Sequence, residues 1–293
     1  MTSSIEIPYY TRTLPSPLPT NSDIEMAPDI STPYRARRVV RVAPCFVVKF
    51  GLGVDLVEGE NMMFVRASTN VVVPEVYALY SDPQTGVKYI IMEHIVGDTL
   101  ESLWPNLLLS QKKLVVTRLR AYFDELRRIP SPGYFGSLGE RPLLDDTFWT
   151  PDPDPSTNGP FHTEDAFNEA LMRKYACDGP SPRRAAFYCH ALPCILSGPK
   201  PTFTHGDCQR KNILMRQTAS TALSIDGGSP VEDLEPVFVD WEKSGWYPSY
   251  WEYSLAFWAV RWNDDWDQWL DEFLDNYTNE AFWLERFRSE LWS

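Results

Sequence analysis

The sequence predicts an α+β chain, a small N-terminal antiparallel β lobe followed by a larger, mainly helical C-terminal lobe. Three observations predict it. Residues 37–97 carry short β-branched runs separated by turn residues. Beyond 98 the apolar residues recur at the 3.6-residue spacing of half-buried helices. Between those helices, a polar loop (205–212) and an apolar run ending in an acid (237–240) break the pattern.

Taken in order, residues 1–33 hold six prolines and many Ser, Thr and Asp without periodicity. They read as an extended N-terminal arm, ordered only where Tyr9, Tyr10 or Leu14 meets a groove. RRVVRVAP (37–44) and CFVVKF (45–50) form a predicted hairpin around Ala43-Pro44. VDLVEGENMMFVRAST (54–69) follows as a helix with Val57, Met62, Phe64 and Val65 on its apolar side. VVVPEVYALYS (71–81) and VKYIIMEHIVG (87–97) are two further strands joined by a turn over 82–86. The chain therefore divides into an arm (1–33), an N-terminal lobe (34–97) and a C-terminal lobe (98–293).

In the C-terminal lobe, Asp98 or Thr99 can cap a helix that Pro105 interrupts. Ser110 opens a longer helix, with Leu114, Val115, Leu119, Tyr122, Phe123 and Leu126 on one side. The stretch 131–162, rich in proline and aspartate, reads either as a lid on the substrate side or as a surface excursion. Helices begin again at Thr163 and around 182–197. The Gly-, Ser- and Pro-containing segment 218–236 reads as a flexible surface insertion. Three helical stretches close the chain, near 249–260, 264–275 and 278–291. Their Trp251, Trp258, Trp262, Trp266 and Trp269 have the spacing of a core stripe. Asp264, Asp265, Asp267, Asp271, Glu272 and Asp275 lie among them, so the same region would suit an amine or quaternary ammonium group.

The chemistry concentrates in FTHGDCQRKNILM (203–215) and VFVDWE (237–242). Phosphoryl transfer from a nucleotide needs an Asp to orient the acceptor hydroxyl, and an Asn plus a second Asp to hold Mg²⁺. Asp207 and Asn212 have the five-residue spacing of the protein-kinase catalytic loop, and Asp240 ends a strand downstream.

HGDxxxxN followed by a strand-borne D-W-E resembles the aminoglycoside phosphotransferase and choline kinase family. WEKSGWYPSYWEY (241–253) is similar to the family's fungal members, and the resemblance covers roughly residues 34–290. It implies a two-lobed protein-kinase-like fold and an ATP- (or GTP-) and Mg²⁺-dependent transfer of a phosphoryl group to a small-molecule hydroxyl. By this resemblance Asp207 is the catalytic base, and Asn212 and Asp240 hold the metal. Lys49 holds the α and β phosphates and pairs with Glu58, Glu60 being the alternative, while backbone groups of Glu93 and Ile95 bind adenine. His205 reads as a brace for the loop. Arg210 and Lys211 either neutralise developing charge or face solvent. The chain departs from related patterns in lacking GxGxxG before Lys49 and in carrying Cys208-Gln209-Arg210 where His-Pro is frequent. Two other readings therefore stay open: a nucleotide-binding pseudokinase or scaffold, and a same-fold enzyme turned to other chemistry on a fungal metabolite.

A net charge of −13 argues against nucleic acid as a partner and is compatible with a cationic or amine-bearing acceptor. No apolar run is long enough to span a membrane, and MTSSIEIPYY lacks the pattern of a secretory signal. Five cysteines without a CxxC pair read as reduced, mostly buried thiols of a cytoplasmic protein. Cys189, His190 and Cys194 lack a second ligand pair and do not read as a metal site.

Overall fold

The structure, a computed structural model, describes residues 5–31, 34, 36–196, 200–217 and 234–292. The expected surface insertion lies mostly at 218–233, outside the described residues. In chain order the elements begin with β1 (Tyr9–Tyr10), α1 (Asn21–Met26), β2 (Arg37–Val42), β3 (Phe46–Gly51), α2 (Val57–Ser68), β4 (Val76–Ser81), β5 (Lys88–Glu93) and β6 (Gly97–Thr99). They continue with α3 (Leu100–Leu103), α4 (Leu109–Arg128), α5 (Pro155–Asn158), α6 (Glu164–Asp178) and α7 (Pro182–Ile195). The last are β7 (Pro201–Thr204), β8 (Ile213–Gln217), β9 (Leu234–Phe238), β10 (Gly245–Pro248), α8 (Trp251–Trp258), α9 (Leu270–Phe273) and α10 (Thr278–Leu291).

By contact these elements form two units, Met1–Asp98 with Leu214–Glu242, and Thr99–Ile213 with Lys243–Ser293. The linear division at 97/98 is thus modified. Residues 214–242 fold with the N-terminal segment because β8 and β9 complete a three-stranded sheet with β6.

The first unit is built on a five-stranded antiparallel sheet in the order β1–β4–β5–β3–β2. The expected hairpin is present, with Val40 opposite Val48 and Lys49 opposite Val39. Val40, Phe46, Val48, Phe50, Tyr77, Tyr89 and Ile91 form one core, and Ile24 of α1 is fully buried in it. The N-terminal arm is therefore more than an extension. Tyr9–Tyr10 pairs with β4, and Thr20 and Asp23 form a reciprocal capping box that starts α1. Among the described residues the arm thus adds a helix, α1, to the one expected in the lobe, α2. Helix α2 packs tightly on β4: a Cβ at Gly59 would lie 2.2 Å from a Leu79 methyl carbon. Its Val57, Met62 and Val65 are buried, and so are Glu58 and Asn61.

The second unit pairs β7 with β10, placing Thr204 opposite Gly245, and surrounds them with helices. Its core is aromatic, with Phe148, Phe161, Phe167, Tyr175, Tyr188, Trp251 and Phe287 all buried. Within 131–162, Phe135, Leu143, Phe148 and Phe161 belong to that core, so the segment is more than a surface excursion. Phe135 and Phe161 exchange backbone hydrogen bonds at 2.8 and 2.7 Å, and Leu143 and Phe148 are buried beside them. Asp145 accepts from Arg288 Nη1 at 3.0 Å, and both side chains are at most 5% exposed. Burial opposes the Asp145 charge, but Arg288 and Lys243 outweigh it and lower its pKa.

The C-terminal tryptophans divide. Trp251 and Trp266 are core, whereas Trp258 and Trp262 are exposed. Much of the acidic group around them is already paired. Asp265 accepts from Trp104 Nε1, Trp269 Nε1 and Lys112 Nζ. Asp271 accepts from the Tyr253 hydroxyl, and Asp275 faces Arg120 and Arg127. Cys177, Cys189 and Cys194 are exposed, which corrects the expectation of mostly buried thiols, and only Cys208 is fully buried. Among the described residues no helix is long and apolar enough to cross a membrane.

The Asp145–Arg288 pair joins the 131–162 segment to α10, so its loss should be felt throughout the second unit. Arg288→Leu leaves a buried carboxylate without its counter-charge and is expected to lower the unfolding free energy by about 3–5 kcal/mol. Urea unfolding checks this, the midpoint moving down at constant slope.

Candidate active site

Lys49 stands in the middle of β3, between β2 and β5, and is only 5% exposed. A buried ammonium needs counter-charge. Its Nζ lies 2.5 Å from Glu58 Oε2 and donates to Asp240 Oδ1 at 2.9 Å and to Glu242 Oε2 at 3.1 Å. Arg37 Nη1 donates to the same Glu242 oxygen. Burial works against the charge on Lys49, but the three carboxylates outweigh it and raise its pKa. Burial pushes the Glu58 carboxyl up, against the opposing pull of Lys49. Of the two glutamates weighed for this pairing, Glu58 faces Lys49 and is buried, whereas Glu60 is half-buried.

Asp240 follows β9 with φ +65°, a left-handed conformation uncommon outside glycine, asparagine and aspartate. The bend is pinned on its far side. Trp241 Nε1 donates to the Phe238 carbonyl at 2.9 Å, and Asn61 Nδ2 donates to the Trp241 carbonyl at 2.9 Å. Because Trp241 is fully buried, the acids on either side of it, Asp240 and Glu242, turn together toward Lys49. Carboxylate oxygens of Glu58, Asp240 and Glu242 all lie within 4.8 Å of one another, a spacing and chemistry that can hold a hard divalent cation.

Glu93 ends β5, and Ile95 follows as a buried residue. The backbone N–H of Glu93 donates to the Glu75 carbonyl at 2.8 Å, so it is already committed and does not serve as a donor for a base. The Glu93 side chain is also engaged, by the Glu75 N–H and by Arg216.

In the second unit, β7 delivers His205, Gly206 and Asp207. His205 is fully buried. Its N–H donates to Glu252 Oε2 at 2.6 Å, and its carbonyl accepts from Ser244 Oγ at 2.8 Å. Gly206 has φ +82°, and a Cβ there would lie 2.7 Å from the Lys243 carbonyl oxygen, so a side chain is excluded. The Asp207 N–H donates to His205 Nδ1 at 3.2 Å, which makes His205 the brace of the loop. Asn212 Nδ2 donates to the Asp207 carboxylate at 2.8 Å and to its carbonyl at 3.0 Å, and Gln209 Nε2 donates to the other carboxylate oxygen at 2.5 Å. Asp207 and Asn212 are thus brought together, with the amide nitrogen of Asn212 spent on Asp207. Burial raises the Cys208 thiol beside them, so it stays protonated and inert.

Sequence reasoning missed Arg37, Glu242, Ser244 and Glu252. A Glu in a helical or turn segment reads first as a solvated charge. The available signals were the position of Glu242 two residues after Asp240 and the isolation of Glu252 among aromatic residues.

Burial raises Glu252 from 4.5 to about 7, against the opposing pull of the His205 N–H. Its folded pKa therefore exceeds its unfolded one, and between these values the folded chain holds the extra proton. The associated stability is present below about pH 4.5 and is lost as pH rises through about 7. In Glu252→Gln this part of the pH dependence should vanish. The fall in unfolding free energy from pH 5 to pH 8 is expected to be smaller than in the parent by on the order of 2 kcal/mol. Denaturant unfolding at the two pH values measures it, and equal falls would remove Glu252 as the source.

No model of a protein family and no curated protein matches the sequence. Solved structures do. The chain is similar to aminoglycoside phosphotransferase APH(4)-Ia over 93% of its own length and 88% of the other, with a TM-score of 0.57 and 15% identity. The GDP complex of wild-type aminoglycoside 2'-phosphotransferase-IIIa is similar over 91% of this chain and 86% of the other, at a TM-score of 0.57 and 13% identity. At such identities the likeness is one of fold. The chain has the two-lobed, kinase-like α+β fold of the aminoglycoside phosphotransferases, an antiparallel sheet unit followed by a larger helical one.

Proposed function

We propose that the chain is a small-molecule kinase that moves the γ-phosphoryl group of ATP or GTP to a hydroxyl, with Mg²⁺. The observation that carries the reading is the cluster around Lys49. Two cations, Lys49 and Arg37, face three carboxylates, Glu58, Asp240 and Glu242, which leaves a net negative group of hard oxygen donors. Such a group fits a divalent cation carrying a nucleotide's phosphates. Among the matched structures, one is a ternary complex with ADP and hygromycin B and another a complex with GDP and kanamycin. They support a nucleotide and a small molecule as the pair of ligands.

Each residue has a role in this reading. Mg²⁺, when bound, would neutralise phosphate charge, and Asp240 and the amide oxygen of Asn212 would hold it. Lys49 holds the α and β phosphates, and Glu58 keeps the ammonium from turning away. Base recognition falls to the carbonyl of Glu93 and the backbone of Ile95, since the Glu93 N–H is committed to Glu75. Asp207, its carboxylate oriented by Asn212 and Gln209, takes the proton of the acceptor hydroxyl. The acceptor oxygen forms a bond to the γ phosphorus as the bond to the nucleoside diphosphate breaks. The acceptor's charge is a separate matter. With Asp265, Asp271 and Asp275 paired internally, the acidic C-terminal stretch is not by itself an argument for an amine.

A panel of small-molecule alcohols with labelled ATP and GTP, including a control without acceptor, tests the reading. Asp207→Asn is expected to lower turnover by about 10²- to 10⁴-fold while nucleotide binding persists. Asp240→Ala should abolish the Mg²⁺-dependent rise in melting temperature that nucleotide gives the parent. A parent stabilised by nucleotide and Mg²⁺ but inactive on every acceptor would favour a scaffold, and full activity in Asp207→Asn would overturn the assignment of the base.

A further inference from the structure

Arg210 lies inside the loop that carries Asp207 and Asn212, and of the two roles its sequence position allows the structure removes one. It does not face solvent, since its side chain is 10% exposed. Its Nη2 donates to Asp264 Oδ2 at 2.7 Å. Its guanidinium carbon sits 5.1 Å from the Trp266 ring centroid and 5.8 Å from that of Trp104. These two indoles meet edge to face at 4.7 Å, which gives the planar cation two aromatic walls. The remaining terminal nitrogen, Nη1, is buried without a hydrogen-bond partner.

The walls are themselves fixed. Asp264 accepts from the Trp266 backbone N–H at 3.0 Å through its other oxygen. Asp265 accepts from Trp104 Nε1 at 2.9 Å, from Trp269 Nε1 at 3.2 Å and from Lys112 Nζ at 2.8 Å. Arg210 therefore plugs into a rigid socket made by the 104–112 and 264–269 segments. On its main-chain side it opens a short helical turn, Arg210–Asn212, and its carbonyl accepts from the Ile213 N–H. Two further bonds complete that turn, Gln209 N–H to the Asp207 carbonyl at 2.8 Å and Asn212 N–H to the Gln209 carbonyl at 2.9 Å. Whatever holds Arg210 holds the spacing between Asp207 and Asn212.

We propose that Arg210 is a positioning residue for the catalytic loop, its guanidinium clamped by Trp104, Trp266 and Asp264 so that Asp207 and Asn212 keep their mutual geometry. The word catalytic here rests on the phosphotransfer reading, whereas the clamp does not. A lysine can reach Asp264, but it lacks the planar group that fills the space between the two indoles. This gives the Arg210 side chain a graded signature: alanine removes both attachments and lysine only one.

Hydrogen exchange on the full chain tests the clamp without any substrate. In Arg210→Ala the amides of Gln209 and Asn212 are expected to exchange at least about tenfold faster than in the parent, with amides of β2 to β5 unchanged. Arg210→Lys should fall between the two. Guanidinium ion at non-denaturing concentration should restore protection in Arg210→Ala and leave the parent unaltered. Turnover should fall by about 10- to 100-fold in Arg210→Ala with the KM for nucleotide retained, and the same ion should recover part of it. Unchanged exchange at Gln209 and Asn212 in both variants overturns the proposal, and so does a loss of protection spread evenly over the second unit. If alanine does not fold, the lysine variant alone decides between these outcomes. A parent without turnover defeats the phosphotransfer reading and leaves the exchange result to judge the clamp.

Discussion

An ammonium group taken out of water has to be met by charge from the protein, and Lys49 imposes that requirement on everything near it. Placed on the second strand of a hairpin and nearly buried, it draws one carboxylate from α2 and two from the residues after β9. Helix α2 must present Glu58 at one height, which Gly59 permits by letting the helix lie against Leu79. The chain after β9 must turn through a left-handed residue, which aspartate tolerates better than a branched side chain would. The buried Trp241 then acts as the axle of that turn, with an acid on either side.

The second unit solves a different problem by related means. Its polar loop leaves the β7 strand carrying backbone groups that have no sheet partner, and burial makes each of them costly if left unmatched. Glu252 and Ser244 supply those partners for His205, and His205 in turn accepts from Asp207. The functional carboxylate is thus supported by a chain of buried bonds reaching back to α8. Burial accounts for part of the tryptophan content: Trp104, Trp246, Trp251 and Trp266 are walls of this unit's interior.

The strands of the first unit and the long helices of the second were legible in the sequence because their apolar residues repeat with a fixed period. The Lys49–Glu58 pair was legible through the resemblance to a known family, whereas the Asp207–Asn212 hydrogen bond was not foreseen, the two having been given separate roles in one loop. What escaped has no period. The helix Asn21–Met26 is marked by a single apolar anchor, Ile24, among polar neighbours. The core residues of 131–162, Phe135, Leu143, Phe148 and Phe161, are scattered between prolines, so a packed segment reads as an excursion. Exposure of Trp258 and Trp262 against burial of Trp266 depends on short helical turns that spacing alone does not reveal. The commitment of the Glu93 N–H depends on where residue 75 lies, a tertiary fact.

The first unit is discontinuous, since the chain leaves it after Asp98 and returns at Leu214. Lys49 therefore emerges from the ribosome 191 residues before Asp240. At ordinary elongation rates of about 5–20 residues per second, that is a wait on the order of ten to forty seconds. During it the nascent five-stranded sheet holds a lysine matched by Glu58 but not yet by Asp240 or Glu242, and β6 waits for β8 and β9. Completion of the early part of the polypeptide is thus timed by translation of the later part.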